Sequence, residues 1–492
     1  MPMNDQTSQS RDILYCAEWV LPVSAPPVRS GAVLVREDVI AGIGPSLELA
    51  AANPQAEVVD FGPAVLMPGF VNAHCHLEYA TFRGIFDDEE FGDWIVRLVD
   101  AKAALSPSDY VHSALLGAAE CVSSGITTIA DTAFGGETLL AASQAGLRGR
   151  LYLEVFGIDD RHLEQTMAEI EARLDGARAA ASSRIEIGIA PHAPYTVSAR
   201  LYQTIASYAR EHDLKVASHV AESCEELTYI RSGSGKFAHD FREKVGWERM
   251  LVQPYGVSPI KYLQQWGVFD EDFLAVHCVQ ASPDDIRILA SKRAAVAHCP
   301  KSNAKLGCGV APLAEMLRQG VRVGFGTDSP ASSNIMDMFD EMRTALFLHR
   351  AIGRDVSVLT AEKCIQIATL GAADALGMAD AVGSLEPGKQ ADLIAVDISR
   401  SHFAPVTDPY SALVYGANQD DVTFACVGGD VLYRDRELLT LDAEAVRAGG
   451  IQVREKLHTK VSDGVSVGDV ESGWWRPTDA TVAGGADDSA RG

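Results

Sequence analysis

The feature that most constrains this chain is an eightfold alternation. Between Val65 and Gly326 short apolar runs take turns with stretches of helical periodicity, the pattern of parallel strands joined by crossover helices. The strand candidates are Val65 to Ala73, Ile126 to Ala130, Leu151 to Phe156, Ile185 to Ala190, Lys215 to Ser218, Phe273 to Val276, Ala294 to Ala297 and Val321 to Gly326. Eight such units predict an α/β fold, a (β/α)8 TIM barrel, in which the C-terminal strand ends collect at one mouth. One connecting helix carries its own start and stop signals. Ser106-Pro107-Ser108-Asp109 offers an N-cap, a proline at N1 and an acid at N3, and Gly125 stands beyond the C-terminal end.

At or just beyond those strand ends stand His74, His76, Asp131, Glu154, His192, His219, His277, His298 and Asp328. Five of the strands end in histidine although the chain holds only 13, which a random scatter of loop residues does not produce. In His74-Cys75-His76 the two imidazoles lie at i and i+2, so on a strand they share a face and can reach one ion. His74, His76, His219 and Asp328 together make a nitrogen and oxygen ligand set suited to a catalytic divalent cation, Zn²⁺ favoured and Fe²⁺ an alternative. Glu222, three residues after His219, is expected to shuttle a proton, the competing reading being a solvated loop acid beside Glu225 and Glu226. His277 and Asp328 are placed to flank a water activated by the metal. A buried histidine satisfied by backbone competes for His277, and His298 stays open between the two roles.

Outside the alternation, Ile13-Leu14-Tyr15, Ala32 to Val35, Val39 to Ile43 and Val58-Val59 pair in character with Ala391 to Val396 and Val422 to Tyr433. They predict one small composite β-sandwich from residues 11–66 and 384–440, leaving 67–383 for the barrel and 441–492 as a C-terminal extension. The extension turns rich in Gly, Asp, Ser and Ala beyond Thr459, and its end from Ala483 to Gly492 is expected to be disordered. Trp474-Trp475 either docks on the body or has no role.

Composition narrows the partners. With 42 Lys+Arg against 67 Asp+Glu the formal charge is -25, which disfavours nucleic acid and anionic membrane surfaces and leaves a small-molecule substrate. Nine scattered cysteines without a CxxC pair read as reduced thiols of a cytoplasmic protein, and neither an apolar leader nor a membrane-length apolar run is present. Gly233-Ser234-Gly235-Lys236 lacks the spacing and the Ser/Thr of a phosphate loop, since Phe237 follows.

Together these residues resemble the amidohydrolase superfamily, in its nucleoside and heterocycle deaminase branch. The matching stretches are Met67-Pro68-Gly69-Phe70-Val71-Asn72-Ala73-His74-Cys75-His76, Gly125-Ile126-Thr127-Thr128, Pro191-His192-Ala193-Pro194-Tyr195-Thr196, His219-Val220-Ala221-Glu222, His277, His298-Cys299-Pro300-Lys301-Ser302-Asn303, Gly326-Thr327-Asp328 and Gly383 to Leu393. The resemblance implies a metal-dependent hydrolase barrel, a β-sandwich built from both chain ends, one divalent metal ion and a homo-oligomer. Dinuclear members bridge their ions with a carboxylated lysine on strand four, but no lysine occurs between Lys102 and Lys215. The implied reaction is hydrolytic deamination of an amino-substituted ring: activated water attacks the amino-bearing carbon, Glu222 protonates the adjacent ring nitrogen, and Asp328 and His277 assist proton removal.

Substrate clues follow from the same resemblance. Methylthioadenosine and S-adenosylhomocysteine deaminases carry a Trp-Pro-x-Glu element after HxH and an arginine near the end of strand three. This chain reads Trp94-Ile95-Val96-Arg97 and Leu153-Glu154-Val155-Phe156 there. His76-Leu77-Glu78, Phe91-Gly92-Asp93-Trp94-Ile95 and Ala221-Glu222-Ser223 look more like aminodeoxyfutalosine deaminases of menaquinone biosynthesis, which act on an adenine-type nucleoside. Glu78, Glu154 and His192 are then candidate substrate contacts, with a loop salt bridge the alternative for Glu78. Other N-heterocycle deaminases, an s-triazine-type hydrolase and a catalytically inactive barrel serving as a binding protein are the alternatives.

Overall fold

In the computed structural model, which describes residues 12–462, eight parallel strands run in chain order around a barrel. They are β1 (Phe70–Cys75), β2 (Ile126–Ala133), β3 (Arg148–Val155), β4 (Ile185–Pro191), β5 (Val216–Val220), β6 (Phe273–His277), β7 (Ala295–His298) and β8 (Arg322–Phe325). Every residue of β1 and β2 is buried, as expected of strands covered on both faces. At the mouth β8 returns to β1, where Cys75 and Asp328 form a parallel bridge and the Asp328 N–H donates to the His74 carbonyl at 3.0 Å. That seam sets a histidine and a carboxylate from opposite ends of the barrel sequence side by side.

The expected first strand, Val65 to Ala73, is two strands of different sheets. Ala64–Pro68 belongs to the outer sheet, and the chain passes at Gly69 into β1. A continuous apolar run gives no sign of a change of sheet, because both segments are buried. Gly69 permits it: a Cβ there would lie 2.1 Å from Thr127 Oγ1 of β2, and its N–H donates to the Asp392 carbonyl at 3.1 Å.

The outer sheet draws on both chain ends. Its order is Glu437–Leu438, Asp430–Arg434, Val422–Val427, Leu393–Asp397, Ala64–Pro68, Ile13–Val20, Val28–Arg36, Val39–Pro45, with Glu57–Asp60 also paired to Ile13–Val20. The seam is antiparallel, with Val65 opposite Val396. Tyr15, Phe61 and Phe424 pack as one aromatic cluster in its own small core. Arg148 at the start of β3 ties barrel to sheet, its Nε and Nη2 donating to the two oxygens of buried Asp392 at 2.7 and 3.1 Å.

The signalled helix forms over Pro107–Ser123, with the Asp109 carboxylate accepting the Ser106 N–H at 2.8 Å. Gly125 takes φ +83°, the left-handed conformation that ends a helix cheaply only in glycine. Within the C-terminal extension a helix spans Ala443–Ser462 and packs on Pro107–Ser123, where Lys456 pairs with Asp109. Trp474-Trp475 and the segment from Ala483 to Gly492 lie outside the described residues. All nine cysteines are free thiols, and among the described residues no helix is long and apolar enough to cross a membrane.

Candidate metal centre and active site

Three imidazoles meet where β1 and β5 end. His76 Nδ1 lies 2.7 Å from the Thr132 carbonyl and His219 Nδ1 lies 3.0 Å from the His192 carbonyl. A carbonyl can only accept, so both Nδ1 atoms carry the proton and both Nε2 atoms offer a lone pair. Those two Nε2 atoms face each other at 3.4 Å. The third, His74 Nε2, is buried without a hydrogen-bond partner, 3.5 Å from Asp328 Oδ1. Burial pushes the His76 pKa down to about 3 and that of His219 well below its ordinary value, so both are neutral, as ligands must be. Buried lone pairs pointed at one another, with an orphaned imidazole nitrogen beside them, are costly unless a cation sits between them. The donor set therefore fits one divalent ion, held by His74, His76, His219 and Asp328, whose three imidazole ligand atoms lie within 4.8 Å of one another.

Asp328 is aimed by its surroundings. Its backbone takes φ +56°, and its Oδ2 accepts the hydroxyls of Ser302 at 2.5 Å and Ser332 at 2.8 Å. Oδ1 is left facing His74 and, at 3.7 Å, His76. His277 also sits at positive φ, +73°, and its Nδ1 lies 2.9 Å from Asn303 Oδ1. With that nitrogen as donor, Nε2 presents a lone pair 3.5 Å from Glu222 Oε1. Burial holds the His277 pKa down to about 4, while burial, reinforced by the neighbouring Asp328 and Glu226 charges, pushes Glu222 well above the usual carboxylate range. A carboxyl held high and an imidazole held low suit the pair to giving and accepting a proton. Strained backbone at Ala221 (φ +54°), His277 and Asp328 is concentrated here, where orientation matters most.

His76, His219, Glu222, His277 and Asp328 line one cavity. Glu154, Phe156, His192, Tyr195 and Thr196 line it too, together with Phe91, Trp94, Ile95, Leu98, Val99 and Lys102 of the helix Phe91–Lys102. Glu154 is 1% exposed with Oε2 unpartnered, and its Oε1 lies 4.0 Å from His192 Nε2. His192 Nδ1 is held by Thr196 Oγ1 at 2.8 Å. Glu78 is buried but is not among the cavity-lining residues; burial lifts its pKa to about 8, against the pull of Lys102. Lys102 Nζ lies 4.8 Å from the Tyr79 ring centroid.

The remaining strand-end residues have other partners. His298 does not line the cavity and its Nε2 meets His349 Nε2 at 3.2 Å. Asp131 Oδ1 accepts the Leu77 N–H at 2.8 Å, fixing the turn after His76. Sequence reasoning missed Asn303, Ser302 and Ser332, although the first two lie within Pro300-Lys301-Ser302-Asn303, and it missed Lys102. It had no access to the Thr132 and His192 carbonyls, since any residue type carries one.

Comparison with known proteins places this geometry in context. A family model described as the amidohydrolase family matches residues 65–432. A 5-methylthioadenosine/S-adenosylhomocysteine deaminase of Pelotomaculum thermopropionicum is 34% identical over 444 residues, 89% of this chain and 96% of its own. Among solved structures, a zinc-bound adenosine deaminase from Xanthomonas campestris superposes with a TM-score of 0.81 at 30% identity, covering 91% of this chain and 99% of that one. The Helicobacter pylori aminofutalosine deaminase in complex with methylthio-coformycin shares the fold at a TM-score of 0.71 and 21% identity, covering 85% and 99%.

Proposed function

Because the chain belongs to the amidohydrolase family and is a metal-dependent hydrolase of C–N bonds, we propose that it removes the 6-amino group of an adenine-type nucleoside with release of ammonia, 6-amino-6-deoxyfutalosine being favoured on the sequence elements that line its cavity. The observation that carries the reading is the Glu222–His277 pair, Oε1 3.5 Å from Nε2, beside the ligand set in a single cavity. A divalent ion held by His74, His76, His219 and Asp328, zinc favoured, supplies Lewis acidity that draws the pKa of water toward neutrality. The chain's own groups do the rest. Glu222 gives its proton to the ring nitrogen beside the amino-bearing carbon, making that carbon electrophilic. Asp328 Oδ1 and His277 Nε2, each turned inward by hydrogen bonds on its far side, take the proton of the attacking water. That proton passes to the departing amine, which leaves as ammonia, and the proton of the added hydroxyl returns to Glu222 as the ring carbonyl forms.

Substrate choice within this reading rests on the other wall. Glu154 stands near the end of β3, and the helix Phe91–Lys102 brings Trp94 and Lys102 to the cavity in place of a Trp-Pro-x-Glu element. Those differences favour the futalosine-type nucleoside. The 34% identity to a methylthioadenosine/S-adenosylhomocysteine deaminase supports a second reading, that these are the substrates. Ammonia release from 6-amino-6-deoxyfutalosine, methylthioadenosine, S-adenosylhomocysteine, adenosine and an s-triazine separates the two, and silence on all the nucleosides refutes both. In parallel, Glu222→Gln is expected to keep its metal and lose turnover by about 10²–10⁴-fold. Wild-type activity in that variant would remove Glu222 from the mechanism.

A further inference from the structure

The mechanism gives no work to Glu226, yet it is fully buried and both of its oxygens are engaged. Oε1 accepts the Ala221 N–H at 2.8 Å and Oε2 accepts the Glu222 N–H at 2.8 Å. Ala221 holds φ +54°, a left-handed conformation that a residue with a Cβ adopts at a cost. The turn ends β5 and sends Glu222 toward His277 instead of continuing along the strand. Glu226 is itself anchored from the other side: it opens the helix Cys224–Ser232, and its N–H donates to the N-cap hydroxyl of Ser223 at 3.2 Å. A Glu at this position usually reaches back to the N-cap N–H; here it reaches past it, to the two preceding amides. One carboxylate thus clamps two consecutive amides of a strained turn at the point where the proton-carrying side chain departs.

We propose that Glu226 is a positioning residue, holding the Ala221-Glu222 turn in the conformation that keeps the Glu222 carboxyl within reach of both His277 and the substrate ring. The proposal rests on the assignment of Glu222 as proton carrier. It makes Glu226 necessary for the rate of the chemical step and dispensable for binding, since Glu226 itself does not line the cavity.

Two variants separate geometry from charge. Glu226→Gln keeps the length of the side chain but sets an NH2 against one backbone N–H. Glu226→Asp keeps the carboxylate but, one methylene shorter, reaches at most one of the two amides. Each is expected to lower kcat by at least about tenfold with KM within about threefold and metal content unchanged, as loss of an orienting contact at a catalytic group does. Glu225→Gln, which removes a neighbouring charge without touching the turn, is expected to retain wild-type kcat. If Glu226→Gln does not fold, Glu226→Asp decides. A folded, metal-loaded Glu226 variant with wild-type kcat and a lowered Tm overturns the proposal and leaves Glu226 a purely structural residue. Should Glu222→Gln itself retain turnover, the underlying reading fails instead.

Discussion

Acid should destabilise this protein in part through the buried contact of His298 with His349, outside the cavity. His349, on the helix Met338–Gly353, is 7% exposed and packs against His298. Burial holds its pKa down to about 4, against an ordinary value near 6.5. Between those values the unfolded chain binds a proton that the folded chain refuses, so the contribution is fully present above about pH 6.5 and is lost as pH falls toward about 4. At about 1.4 kcal/mol per pH unit, that gap is worth about 3 kcal/mol, of which about 2 kcal/mol is already lost by pH 5. The whole stability profile is not diagnostic, because His76 and His277, held down to about 3 and about 4, act with the same sign, while Glu78 and Glu341, lifted to about 8, and Glu226, lifted to about 7, act with opposite sign: folded, they take up protons before the unfolded chain does. The difference between wild type and His349→Gln isolates the term, since glutamine can still hydrogen-bond to His298 but does not titrate. Urea unfolding followed by far-UV circular dichroism at pH 8, 6.5 and 5 should show the variant's deficit shrinking by about 2 kcal/mol as the pH falls. A deficit that stays constant with pH would refute the argument.

Stripping the protein with a chelator should abolish turnover, with Zn²⁺ or Fe²⁺ restoring it. The stripped protein should also unfold more easily, by about 2.7 kcal/mol relative to protein held at a hundredfold excess of ion over Kd; full activity without metal would refute the ligand assignment. Gly69→Ala forces a Cβ into Thr127 and should cost about 1–3 kcal/mol as overpacking. Thr127→Ala in the same chain should recover part of the loss, and an unchanged Tm in the single variant would show that the crossing between sheets tolerates a side chain.

Much of this architecture was legible because it depends on periodicity and on side-chain identity. The alternation announced eight strands, and the residues at their ends announced the mouth; His74, His76, His219, Glu222, His277 and Asp328 do line or adjoin one cavity. What stayed hidden depends on backbone. The passage from one sheet to another at Gly69 is invisible in an unbroken apolar run. The carbonyls of Thr132 and His192 that fix two imidazole tautomers have no signature in residue type, and positive φ at Ala221, His277 and Asp328 falls on residues that ordinarily avoid it. The helix Ala443–Ser462 was concealed by its glycines, Gly449 and Gly450, and by a mostly polar surface with few buried positions, among them Val453 and Leu457. Glu226 shows why a local charge run resists reading: three neighbouring acids look alike in sequence, yet one faces His277 in the cavity, one is a buried clamp and one is half-exposed.

The seam between Ala64–Pro68 and Leu393–Asp397 bears on how the protein is made. The strand that leads into His74 and His76 is paired on one edge with Ile13–Val20, made before it, and on the other with Leu393–Asp397, made only after all eight barrel strands. Until that second partner leaves the ribosome, one side of Ala64–Pro68 is an unpaired apolar edge, the kind of surface that aggregates or recruits a chaperone. Closure of the outer sheet is therefore a late event that follows synthesis of the barrel strands. Chains cut short before Leu393 should accumulate as chaperone clients, not as smaller working enzymes.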